Sequence, residues 1–130
     1  MKNRKFLFLL QEFAKLIQCH CNDIEAEQSM LCRYEDIDCY LEDGSHIRLN
    51  NQLIIIIPMS NVISAKTQVI LNSNFSLSRD GYFAEVKGKG CCYLRHVPLP
   101  EQPQRLLSII SETVTIIRRI QKEIHLYVVD

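Results

Sequence analysis

The chain has 130 residues and a mass of 15.1 kDa, with 47% hydrophobic and 23% charged residues, which is room for one domain with a real core and none of the depletion that marks disorder. Fifteen Lys and Arg balance fifteen Asp and Glu, so no global field would hold the protein on nucleic acid or an anionic membrane. No apolar run approaches the ~20 residues of a spanning helix, and residues 1–130 are expected to form a single domain.

Lys2, Arg4 and Lys5 followed by FLFLL resemble the opening of a secretory signal, but the apolar run stops at Gln11-Glu12 and no small-residue cleavage site follows. A cytosolic chain is expected. From Asn3 to Cys19, Phe6, Leu9, Leu10, Phe13, Leu16 and Ile17 recur at spacings of three and four, which predicts an amphipathic helix. From Ser29 the pattern changes: Met30 to Tyr34 and Ile37 to Leu41 read as strands, Asp43-Gly44 as a turn, and His46 to Leu49 as a continuation of the sheet. Between Asp23 and Asp43 the carboxylates are opposed only by Arg33, so this segment should present an acidic surface.

The run LIIII, Leu53 to Ile57, bounded by Asn50-Asn51 and Pro58, predicts a central strand buried on both faces. Asn61 to Asn72 predicts a helix of about three turns whose β-branched content works against it. After Asp80-Gly81, Tyr82 to Lys87 alternates, and Gly88-Lys89-Gly90 turns the chain back into Cys91 to Val97. In that arm Cys91, Tyr93, Arg95 and Val97 should face one way, and Cys92, Leu94 and His96 the other. Pro98, Pro100 and Pro103 stop the strand, and Leu106, Ile110, Val114, Ile117, Ile120 and Ile124 predict a long closing amphipathic helix. The expected fold is α+β, with helices packed on a largely antiparallel twisted sheet in the order α-β-β-β-α-β-β-α.

The six cysteines and four histidines raise metal and redox chemistry, but the spacing opposes it. Zinc sites pair cysteines two to four residues apart, whereas Cys19-His20-Cys21 and Cys91-Cys92 do not. On one strand Cys92 and His96 lie about 13 Å apart, too far for a nucleophile and its base. No phosphate-binding loop, paired-carboxylate motif or calcium loop is present. The expectation is therefore no enzymatic activity, no cofactor and no metal. The remaining feature is an excess of apolar surface in a small domain, which suits burial against a copy of itself or a partner.

In its order of elements the chain resembles the class I chaperones of the bacterial type III secretion system, the Tir-chaperone-like family. The likeness runs over nearly the whole chain and is closest in VILNSNFSLSRDGYFAEVKGKGCCYLRHVPLP, where a helix ending in Leu71-Asn72 is followed by a strand, a turn, a strand and a Leu-Pro step into the last helix. The resemblance implies a cytoplasmic homodimer that binds extended segments of one or more secreted effector proteins and keeps them competent for export. It involves neither nucleic acid nor membrane insertion. Family members receive effector segments on the first helix and early strands, which puts Phe6, Leu10, Phe13, Met30, Cys32 and Tyr34 in the expected effector-binding groove. They dimerise chiefly through the middle helix and late strands, which puts Val62, Ile63, Val69, Phe83 and Val86 in the expected dimer interface. Two other readings stand beside this one: a cysteine-based redox or metal-binding small protein, and an α+β regulatory interaction domain.

Overall fold

The computed structural model describes residues 3–18, 29–59 and 63–128, without the side chain of His46. Helix α1 (Arg4–Leu16) starts where the Asn3 side chain accepts a hydrogen bond from the Phe6 N–H, an N-cap that fixes the first turn. Strands β1 (Ser29–Tyr34) and β2 (Ile37–Asp43) form a hairpin. Its two-residue loop, Glu35-Asp36, has positive φ at both positions (49° and 66°), the geometry that matches strand twist. Glutamate does not favour that conformation, and a tertiary contact supports it: the Arg118 guanidinium donates to the Glu35 carbonyl.

The expected extension of the sheet through His46 to Leu49 does not occur. A 3₁₀ turn spans Gly44–Ile47, and Arg48 is left-handed. The cause is Asp43, whose buried carboxylate accepts from the Ser45 N–H (3.2 Å) and hydroxyl (2.7 Å) and so curls the chain after β2. Strand β3 (Gln52–Pro58), helix α2 (Ala65–Ser73), the short helix α3 (Phe75–Ser78), strands β4 (Gly81–Val86) and β5 (Gly90–Pro98) and the long helix α4 (Pro103–Glu123) follow. Gly88 and Gly90 take the positive φ of the β4–β5 turn. The α+β architecture and the order of its elements are those expected.

The five strands form one antiparallel sheet in the order β1-β2-β3-β5-β4. Leu53 to Ile57 sit at its centre and are buried on both faces, as the uninterrupted apolar run predicts. One face, with Cys39, Leu41, Ile55, Tyr93 and Val97, packs under α1 and α4 to make the main core. The other carries Ile54, Ile56 and Cys92, against which half-buried Tyr40, Leu94 and Val86 pack, with no further cover among the described residues.

Helix α2 shows the reverse of ordinary amphipathicity. Polar Thr67 and Gln68 are buried with Leu71, while Val69 and Ile70 face outward. The helix lies beside β4, at the edge of the sheet, where its inward side chains meet backbone as well as apolar surface. Polar side chains suit the backbone edge there, and Leu71 the apolar surface beside it.

Candidate functional site

The residues expected to line a groove on α1 and the early strands do come together, but inside the protein. Phe6, Leu10, Phe13, Met30 and Cys32 are buried in the main core, and Tyr34 is half-buried against it. In the single chain five of them lie beneath the surface of α1, and Tyr34 keeps part of its ring accessible. The helix periodicity identified its apolar stripe, but the intramolecular occupant of that stripe, α4, follows only from the tertiary packing.

The most exposed apolar group on α1 is Phe8, at 63% against 40% for Leu16, and sequence periodicity placed it off the stripe. It stands between two adjoining cavities formed with the connection from β5 to α4. One, about 360 Å³, is lined by Lys5, Phe8, Leu9, Asn51, Leu99, Pro100 and Glu101. The second, about 310 Å³, adds Glu12 and Gln102 to Gln104. Together they make a surface groove in which Phe8 and Leu9 are shared, Leu99 and Pro100 add apolar wall, Lys5 lines the first cavity, Glu12 the second and Glu101 both. An extended segment with apolar anchors beside basic residues fits that lining.

A second apolar surface crosses the uncovered face of the sheet. The register places Leu31 opposite Tyr40, Tyr40 opposite Ile56, Ile56 opposite Leu94, and Leu94 opposite Tyr82. This row spans all five strands, about 19 Å at the usual strand spacing. Leu31 and Tyr82, at its ends, are exposed. Its rim is polar: Arg33 pairs with Asp38 (3.7 Å), Lys89 lies 4.5 Å over the Tyr40 ring, and the Tyr82 hydroxyl is 2.8 Å from His96 Nε2.

Of the expected interface residues, Val69 is 65% exposed on α2, near Ile70 and followed by Phe75, itself 77% exposed at the start of α3. Val86 is half-buried on the uncovered sheet face. Ile63 and Phe83 are core. Val62 lies outside the described residues, as do Cys19, His20 and Cys21.

The described thiols are placed for packing. Cys32 and Cys39 are opposite each other across β1 and β2, and Cys91 and Cys92 point to opposite faces of β5. Burial pushes the Cys39 thiol up to about 12 and that of Cys91 up to about 11, with neighbouring acidic groups adding to each. A thiol held protonated in this way is a poor nucleophile at neutral pH. Among the described residues no group of three His, Cys, Asp or Glu side chains could hold a metal ion, and no helix is long and apolar enough to cross a membrane.

Among the described residues the buried charged residue besides Asp43 is Arg95, 6% exposed, which pairs with Glu112 (2.5 Å) and lies 3.6 Å from Asp80 while donating to the Thr113 hydroxyl at 2.9 Å. This joins β5 to α4. Because its charge is already neutralised, the cluster is a structural tie rather than an anion site.

No protein-family model matches the sequence, and no curated protein matches it. Two complexes are among the solved structures that share its fold. A chain of the ExsC–ExsE complex superposes with a TM-score of 0.65 at 13% identity, covering 96% of this chain and 95% of that one. A chain of the HopA1–SchA chaperone–effector complex superposes with a TM-score of 0.58 at 10% identity, covering 98% and 97%. The fold is thus one found, over nearly its full length, in complexes of which one joins a chaperone to an effector.

Proposed function

We propose that this protein is a cytoplasmic chaperone of the class I type III secretion kind, a homodimer that holds extended segments of one or more secreted effectors ready for export and performs no chemistry itself. The observation that carries the reading is the agreement between the full-length fold and a sequence resemblance found independently of it. The apolar surfaces left open by the packing support it. The groove beside Phe8 receives apolar anchors of the segment, with Glu12 and Glu101 selecting basic neighbours. Strand β1, at one end of the sheet order, supplies an edge for backbone pairing. Phe6, Leu10, Phe13, Met30, Cys32 and Tyr34 act beneath this surface as its support. The second copy docks through the outward side of α2 at Val69 and the adjoining late strands at Val86.

The test is capture from the native host followed by identification of the partner by mass spectrometry, with wild type and Phe8→Asp run in parallel. Because Phe8 is exposed, the variant should stay folded while losing affinity by about 2 kcal/mol or more, as an anchor does. Capture of a secreted protein by wild type and its loss in the variant is the expected outcome. Unchanged capture by folded Phe8→Asp would move the groove elsewhere, and failure to retain any secreted protein would remove the chaperone reading itself.

A further inference from the structure

Helix α2 meets the outer edge of β4 with two carboxamides one turn apart. The Asn72 side chain makes both bonds that a neighbouring strand residue would make to Phe83: its Oδ1 accepts from the Phe83 N–H at 2.6 Å, and its Nδ2 donates to the Phe83 carbonyl at 3.0 Å. That reciprocal pair is the unit of an antiparallel ladder. Phe83 is the third of six strand residues, so the carboxamide occupies the middle of the edge. One turn earlier, Gln68 Nε2 donates to the Glu85 carboxylate at 3.1 Å and to the Ile63 carbonyl at 2.9 Å, which fixes the helix along the strand.

Without this arrangement β4 would be an adhesive edge. By the alternation of the ladder, the backbone groups of Gly81 and Glu85 share the outward direction of those of Phe83. The strand also carries exposed Tyr82 and half-buried Val86 on its uncovered face. An edge with open backbone groups and apolar flanks is a template for strand addition by another copy of the chain.

We propose that Asn72, held in place by the Gln68 contacts, is an edge guard: a side chain that substitutes for a sixth strand and prevents the sheet from extending through β4 into a second copy. This explains why α2 buries its polar residues and turns Val69 and Ile70 outward. It also separates the two ends of the sheet order, because the middle of β4 is capped by the Asn72 amide whereas β1 ends the sheet at the other side with no described strand beyond it. The inference is independent of what the protein binds.

The test compares wild type, Asn72→Ala and Asn72→Ala/Glu85→Pro by light scattering over a concentration series. Asn72→Ala should raise the weight-average mass at least about twofold over wild type at equal concentration, through pairing at the opened edge. Proline at position 85 removes an outward N–H from the same edge, so the double variant should return to the wild-type mass. A folded Asn72→Ala variant with the wild-type mass at every concentration overturns the proposal, as does a double variant that assembles as strongly as the single one. If Asn72→Ala does not fold, amide hydrogen exchange in the wild-type protein decides. The Phe83 amide should exchange roughly 100-fold more slowly than loop amides, and exchange at the loop rate means that the edge is not sealed.

Discussion

The hydroxyl of Tyr93 donates to the carbonyl oxygen of Ser78 at 2.7 Å, and this bond joins the middle of β5 to the end of α3 inside the core. The ring is fully buried, packs edge-on to Phe83 at 5.4 Å and leaves no room at Gly81, where an added Cβ would overlap it and lie 2.7 Å from the Leu94 carbonyl oxygen. Tyr93→Phe should therefore cost about 1 kcal/mol or somewhat more, because the Ser78 carbonyl is left without its donor. Gly81→Ala should cost about 1–3 kcal/mol through overpacking. Urea unfolding of both variants checks the order, and a Gly81→Ala protein as stable as wild type would contradict the packing described.

The Arg95–Glu112 pair is asymmetric: the guanidinium is buried, whereas the Glu112 side chain is 53% exposed. Glu112→Ala should destabilise by about 2 kcal/mol, the scale of a hydrogen bond to a charged group, because Asp80 and Thr113 remain beside the cation and water reaches it from the Glu112 side. Arg95→Met, which removes the charge and keeps the apolar stem, should cost less than Arg95→Ala. Denaturation midpoints for the three variants test this ranking.

Alkaline pH should unfold the protein through groups that burial keeps protonated. Cys39 and Cys91 are raised from 9.0 to about 12 and about 11, and Tyr93 from 10.0 to about 12, each mainly by loss of hydration. Their folded pKa values lie above the unfolded ones, so the folded state holds more protons above pH 9. The stability they contribute is complete below about pH 9 and is lost as pH rises towards 11–12. Melting temperature against pH should fall over that window. In step with it, Cys39 and Cys91 should stay unmodified by a thiol reagent at pH 8 until denaturant is added.

A homodimer assembled on α2 should have twice the 15.1 kDa chain mass at micromolar concentration. Val69→Glu or Phe75→Glu should return it to the monomer mass without loss of helix signal, since both side chains are exposed in the single chain. Ile63→Glu and Phe83→Glu should instead unfold the chain, because both are core. Scattering mass and circular dichroism, measured on the same samples, separate the two outcomes. A wild-type protein that scatters as a monomer removes the dimer.

Local pattern was enough to specify the secondary elements wherever one interaction dominates. Leu53 to Ile57 could only be a central strand, because five consecutive apolar residues need cover on both sides. The stripes of α1 and α4 follow from helical period, and the alternation of Cys91 to Val97 follows from strand period. The positions of the cysteines on strands already argued against a reactive cluster.

What the sequence could not decide were matters of which surface meets which. The apolar stripe of α1 looks the same whether it faces a partner or α4, and only the packing shows that Phe6, Leu10 and Phe13 are spent internally and Phe8 is left outside. The Glu35-Asp36 turn carries no strong local signal and is supported from α4 by Arg118, 83 residues away. The polar inward face of α2 has no meaning until the edge of β4 lies beneath it, and the row from Leu31 to Tyr82 exists only once five strands take their register. Periodicity records the direction of a side chain relative to its own backbone, whereas the neighbour it meets is set by contacts distant in sequence.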